Sequence, residues 1–548
     1  MNSVWQALTR VKPITQMLSE QNALENGSQS NSPHSIERLQ RCLSAVDLTM
    51  LGVGAIIGTG IFVLTGIAAL KAGPAVIISL LLAGITCIFA GLCYAELSSR
   101  IPVAGSTYTY AYASLGEFCA WVIGWDLVLE YTIGAAAVAR GWSGYVAQLA
   151  HSFSITLPEW LCSSATEGSN LLAGLMIMAM TFLLGLGVKQ SARVNTVIVS
   201  IKVVAILAVI FIGMWCVQPD RWLPFMPFGF QGVLTAAGMI FFAYIGFDTV
   251  STAAEETLNP QRDLPIGIIA SLSICMILYI AVAAVLTGMV SLDELNRSAP
   301  LAVAFAKRGM VWAESIVSLG AFAGLTSIVL VLLFSQPRIY FSMARDGLFF
   351  PWFAKIHPCH GTPWNATLLT GSVASLLAIC FPLETLAQMV NIGTLFAFVV
   401  VCASVLILRQ TPADATELAP LKTSFWFQHP VFRVFLLIAC LIALVLAWRS
   451  GLLSSHFVIP LTLAGGIGYS LFRIHAHLLP TVDAHAGFNC PGLPWIPFLG
   501  IAGCIVMMTS LPVEAWIRLA VWFLIGSIIY VCYGMHHSKL NESKKLVS

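Results

Sequence analysis

Apolar stretches of about 20 residues, the length that crosses a bilayer as a helix, recur along nearly the whole of this chain. Fourteen are distinguishable, called here spans 1 to 14: 45–70, 74–98, 117–149, 171–188, 194–217, 232–254, 264–290, 312–343, 365–382, 384–408, 432–448, 455–472, 494–511 and 515–534. Spans 3 and 8 outrun the bilayer thickness and must tilt or project. Of the 548 residues, 58% are hydrophobic and 9% charged, against about 25% charged in soluble domains. The expected fold class is therefore an all-α integral membrane protein embedded in a lipid bilayer.

The 27 Lys and Arg residues set the orientation. With the amino terminus inside, eighteen fall on the cytoplasmic side, Arg10, Lys12, Arg100, Arg345 and Arg409 among them, and seven on the outer side. Arg140 and Lys202 lie within spans. The bias obeys the positive-inside rule, with both termini cytoplasmic, an even span count and a place in the cell membrane. Residues 1–42 are polar, rich in Ser, Asn and Gln, and lack the apolar core of a cleaved signal peptide; a disordered or loosely helical tail is expected. Spans 1–10 then occupy 43–410, spans 11–14 occupy 411–535, and 536–548 form a short cytoplasmic tail.

Several function classes drop out. A net charge of +2 gives no basic face for nucleic acid. The 14 cysteines sit mostly singly in apolar runs, with no CxxC pair, and read as small buried hydrophobes. No HExxH and no GxxxxGK[ST] occurs, and the histidines lie in or beside loops, so neither a metalloenzyme nor a nucleotide-driven pump is expected. No cofactor or metal is called for.

Spans 1 and 6 carry the informative irregularities. Span 1 reads MLGVGAIIGTGIF, with Gly52, Gly54, Gly58 and Gly60; each glycine weakens a helix by about 1 kcal/mol relative to alanine. Span 6 has Gly246 near its middle, followed by Asp248, Thr249, Ser251 and Thr252. Unpaired backbone at membrane depth persists only where it is buried in protein or lines a watery cavity. Interrupted helices at matching places in two halves point to a transporter's binding site. Exposed amides at Gly58, Thr59 and Gly60 suit a carboxylate at a helix N-terminus. Freed carbonyls of Ile56, Phe242, Ala243 and Ile245 suit an ammonium group, which makes an amino acid the expected substrate. Small-residue helix packing is the competing explanation for the span 1 glycines.

Longer segments carry a resemblance. GAIIGTGIFVLTG, AGLCYAELSSRIPVAGSTYTYAY, GWDLVLEYTIGAAAVARGWSGY, FFAYIGFDTVSTAAEETLNPQRDLPIGI and SQPRIYFSMARDGLFF, with the carboxy-terminal helix pair, resemble the cationic amino acid transporter family of the amino acid–polyamine–organocation superfamily. The resemblance implies a LeuT-type fold in which spans 1–5 and 6–10 are 5+5 inverted repeats, with extra carboxy-terminal helices. It implies alternating access around a midplane site, with backbone contacts at Ile56, Gly58, Thr59, Gly60, Phe242, Ala243 and Ile245. It also places Val331 or Leu332 of span 8 at the substrate side chain, where apolar residues favour small or neutral side chains.

Ionisable residues at membrane depth are functional candidates. Lys202 stands in span 5 without an acidic neighbour on its own helix, and the resemblance gives such a lysine the place of a cation between spans 1 and 8, with Thr326 and Ser327 as oxygen partners and a coupled proton rather than sodium. A structural lysine, snorkelling or paired with a carboxylate, is the alternative. Asp126 and Glu130 share a face of span 3; Glu130 is implied to lie near the cavity, attracting a cationic substrate or relaying a proton, with a structural salt bridge as the alternative. Asp248 is a candidate cap for the second half of span 6, and Glu255 and Glu256 are expected at the interface. The expected function is proton-coupled amino acid import. An exchanger of cationic amino acids and a non-transporting sensor on the same fold are its rivals.

Overall fold

The structure, a computed structural model, describes residues 10–17, 43–155 apart from 104, 157–158, 160–162, 169–185, 192–355, 363–411, 430–449, 458–476 and 487–540. Every one of the fourteen apolar stretches carries helix. Among the described residues nine helices are long and apolar enough to cross a membrane, and four shorter apolar helices accompany them. The pairing of extended backbone is limited, among those residues, to a bridge between Leu43 and Thr257. The molecule is a multi-pass helical membrane protein.

Span 3 runs Glu117–Ser152 and span 8 Val311–Arg345. At 1.5 Å per residue each is about 50 Å long, which exceeds a hydrocarbon core of about 30 Å. Together they form the central post of the bundle, with span 10 (Leu383–Leu408) on another side of span 3. Span 7 (Pro260–Met289) packs against spans 1 and 2, and span 9 (Trp364–Cys380) against span 4 (Leu171–Gly185). Span 13 (Trp495–Ser510) leans on spans 10 and 2, while span 14 (Val513–Ile529) reaches spans 10 and 3. Arg140, expected only as a charge within span 3, donates to the carbonyls of Ala378 and Ile379, satisfying orphan groups at the end of span 9.

Two short helices escaped the hydropathy reading: Ser106–Ser114 between spans 2 and 3, and Pro300–Lys307 between spans 7 and 8. The first, STYTYAYAS, is too short and too polar to register as an apolar run, yet all of its residues are buried.

Of the tail expected over 1–42, residues 10–17 are described, and they are docked. Glu117 N–H donates to the Arg10 carbonyl at 2.7 Å, Lys12 N–H to the Tyr112 carbonyl, and Lys12 Nζ lies 3.4 Å from Asp346 Oδ1. The other tail residues, with Arg38, Arg41 and 541–548, lie outside the described residues, as do Lys189, Lys422, His357, His360 and His477 and the side chain of Glu255.

Candidate functional site

Span 1 starts as the helix Ala45–Ile56, fixed by a capping box in which Ser44 and Asp47 exchange hydrogen bonds. The helix stops at Ile57, whose backbone is extended, and a π-turn at Gly60–Leu64 leads into Thr65–Ala72. The four glycines divide between two jobs. A β-carbon on Gly52 would meet Ser271 of span 7 at 2.5 Å, and one on Gly54 would meet Val199 of span 5 at 2.4 Å. Those two are packing residues, as the small-residue explanation held, and only Gly58 and Gly60 belong to the break.

Span 6 breaks in the matching place. The helix Gly229–Ile240 tightens into a 3₁₀ turn over Phe241–Tyr244, Ile245 is extended, and helix resumes at Asp248–Thr252. Gly246 has φ of +121°, a conformation that other residues rarely adopt. The two breaks lie against each other: a β-carbon on Gly60 would fall 2.2 Å from the Ala243 α-carbon, and one on Gly246 2.8 Å from the Ala55 carbonyl carbon.

Between the breaks is a cavity lined by Ile56, Gly58, Thr59, Gly60, Phe242, Ile245, Glu130, Val331 and Leu332, all expected, and by residues that sequence reasoning missed. Those are Ala55, Tyr131, Gly134, Val138, Ile328 and Val390, while Gly246, Asp248 and Thr249, read in the sequence as marks of the break, line the cavity too. The signal was partly available, since Gly134 and Val138 follow Glu130 at four-residue steps and Ile328 precedes Leu332 by four. Ala243 is the expected residue outside the lining, because its α-carbon faces Gly60 instead.

The backbone groups are partly engaged. The Ile56 carbonyl, expected free, accepts the Tyr279 hydroxyl at 2.8 Å, and the Phe242 carbonyl accepts Ile245 N–H at 3.3 Å. The first-turn amides after the span 1 break have no helical carbonyl to reach. Thr59 Oγ1 is buried at the cavity and has no hydrogen-bond partner among the described residues. Asp248 is the first residue of its short helix rather than the one before it, and its carboxyl serves the break from there, facing the backbone of Gly246 and Thr249 and accepting the Tyr131 hydroxyl at 3.1 Å. Glu130 lies beside the Thr394 hydroxyl of span 10.

Lys202 is 1% exposed, and neither alternative reading of it, snorkelling or a carboxylate partner, matches its surroundings among the described residues. Its ammonium donates to the Gly54 carbonyl at 2.9 Å, and its stem packs over Gly324 of span 8. It thus bridges spans 5, 1 and 8, but not through the oxygens expected. Ser327 Oγ donates to the Gly324 carbonyl, and Thr326 donates to the Phe322 carbonyl while accepting from Trp142 Nε1. Both hydroxyls follow the helix rule that Ser and Thr bond back to the preceding turn.

The chain matches known proteins over most of its length. Residues 43–472 match the family model described as amino acid permease, and 488–538 match the model for the C-terminus of that permease. The chain is 41% identical over 511 residues to the branched-chain amino acid permease BcaP of Bacillus subtilis (strain 168), covering 92% of this chain and 95% of that protein. It is 40% identical to the chloroplastic cationic amino acid transporter 9 of Arabidopsis thaliana, covering 92% and 89%, and 35% identical to cationic amino acid transporter 4 of Homo sapiens, covering 96% and 92%. These relatives are transporters, not enzymes, and the chain belongs with them to the amino acid permeases of the amino acid–polyamine–organocation superfamily.

Proposed function

We propose that the chain imports neutral amino acids across the cell membrane by alternating access, coupled to protons, with fourteen crossings, both termini cytoplasmic and spans 1–5 and 6–10 as inverted repeats. The observation that carries this reading is the cavity shared by the two abutting helix breaks. Half-helix N-terminal amides and the unpartnered Thr59 hydroxyl suit a carboxylate. Glu130 and Asp248 provide negative charge for the ammonium end, in place of the occupied Ile56 carbonyl. Val138, Ile328, Val331, Leu332 and Val390 give the cavity an apolar part suited to an apolar substrate side chain. A relative named for branched-chain amino acids fits that part. Lys202, tying span 1 to span 8 through Gly54 and Gly324, is the proposed coupling residue, because losing its proton changes the bond that holds the first half of span 1.

A second reading, exchange of cationic amino acids, is favoured by the two carboxyl groups in the cavity and by the names of several relatives. Proteoliposome uptake of radiolabelled leucine, alanine, serine, lysine and arginine, with and without an inward pH gradient, tests both. Leucine and alanine accumulation that follows the gradient is expected. Preference for arginine and lysine replaces the first reading by the second, and binding without uptake identifies a sensor. Lys202→Ala is expected to uncouple transport from the gradient; unchanged gradient dependence removes its coupling role.

A further inference from the structure

One buried charge takes no part in the site as built so far. Asp126 lies on span 3, four residues before Glu130, with 0% of its surface exposed, and among the described residues neither carboxyl oxygen has a hydrogen-bond partner. A buried carboxylate without a cation or a donor carries a heavy desolvation penalty, which a bound proton removes. The neighbouring helix is shaped around it: a β-carbon on Gly393 of span 10 would fall 2.6 Å from Asp126 Oδ1, so glycine there leaves the carboxyl its room. Ionisable residues at membrane depth with this environment are functional by default.

Position gives the function. Glu130 lines the cavity, and residues four apart on a helix have β-carbons about 5–6 Å apart, a gap two carboxyl side chains can close. Asp126 lies about 6 Å nearer the helix start, the end at which Glu117 meets the amino-terminal segment. Around this stretch of span 3 the titratable groups include Glu130 itself, Tyr131 and through it Asp248 of span 6, Tyr94 of span 2 within electrostatic reach of both carboxyls, Tyr340 of span 8 through Phe349, and Tyr108 of the short helix, whose ring flanks Gly124 and whose hydroxyl donates to Asp346. Span 10 contributes Gly393 and Thr394, and span 14 Trp522; none of them carries charge.

We propose that Asp126 is a second proton carrier of this transporter beside Lys202, receiving the proton that Glu130 holds while no substrate ammonium faces it and passing it toward the face that bears the chain termini. In that step the Glu130 O–H bond breaks and an Asp126 O–H bond forms, leaving Glu130 as the carboxylate and Asp126 as the neutral acid. The proposal rests on the proton-coupled reading above and adds a residue outside the cavity.

The test is Asp126→Asn, which keeps shape and removes the titrating oxygen, in proteoliposomes given a radiolabelled mixture of amino acids. Counterflow, which needs substrate binding and alternation but no net proton movement, is expected at the parent's rate. Accumulation driven by an inward pH gradient is expected to fall at least about tenfold, and Asp126→Glu is expected to restore part of it. A parent whose accumulation ignores the pH gradient overturns the coupling reading and this one together. A coupled parent overturns this proposal alone if Asp126→Asn leaves accumulation intact, or lowers counterflow and accumulation equally. The equal loss marks a structural role.

Discussion

Gly134 contributes no side chain to the cavity wall, and that is its effect on the wall. A β-carbon there would have the Leu332 Cδ1 methyl as its nearest neighbour at 3.5 Å, an ordinary contact, so the position is open toward the cavity rather than pressed by another helix. Gly134→Val would put two γ-methyls into that space. Since one methylene in an apolar pocket is worth about 1–3 kcal/mol, leucine uptake is expected to fall about 10- to 100-fold while alanine uptake is kept. Competition between the two substrates measures the change. Sequence reading reached Glu130 because a charge in a span is conspicuous; it passed over Gly134 because a glycine has meaning only relative to the face it shares, here with Leu332 of another helix.

At the scale of elements, the two breaks are held open by different means. Gly246 breaks span 6 through its own backbone conformation, whereas span 1 is held by a neighbour, the Tyr279 hydroxyl on the Ile56 carbonyl. Removing that hydroxyl in Tyr279→Phe leaves a buried carbonyl short of a donor, at a cost of about 1–3 kcal/mol. An increase in KM of about five- to hundredfold is expected with little change in protein yield, read from uptake kinetics in proteoliposomes. The existence of both breaks was legible, since glycines in span 1 and a glycine followed by polar residues in span 6 are local signals. Which glycines make the break was not: Gly52 and Gly54 look the same as Gly58 in sequence, and side chains of other spans press on all three, but only Gly58 lies past Ile57, where the helix stops. The same limit applied to Lys202, whose burial was readable while its Gly54 partner was not.

For the molecule as a whole, the helices were readable because apolar length is written locally, but what ties them together is written across the chain. Glu117, at the first turn of span 3, accepts from Tyr112, Tyr530 and Ser538, the last at 2.6 Å, and its backbone N–H donates to Arg10. Nearby, Asp346 at the end of span 8 takes Tyr108 Oη and Lys12 Nζ, and its carbonyl takes the Lys539 N–H. Both ends of the described chain are thus fastened to the start of span 3 and the end of span 8. Glu117→Ala strands three buried hydroxyls, each bond to a carboxylate being worth about 1.5–3 kcal/mol. A clear fall in melting temperature in detergent is expected, with substrate specificity unchanged.

That fastening imposes an order on synthesis. Tyr530 and Ser538 follow Glu117 by 413 and 421 positions. The ribosome has therefore released nearly every helix into the bilayer before the first turn of span 3 acquires two of its three donors. Until then Glu117 stays incompletely bonded, so a nascent chain cut short before its carboxy-terminal helices leaves the start of span 3 unsealed.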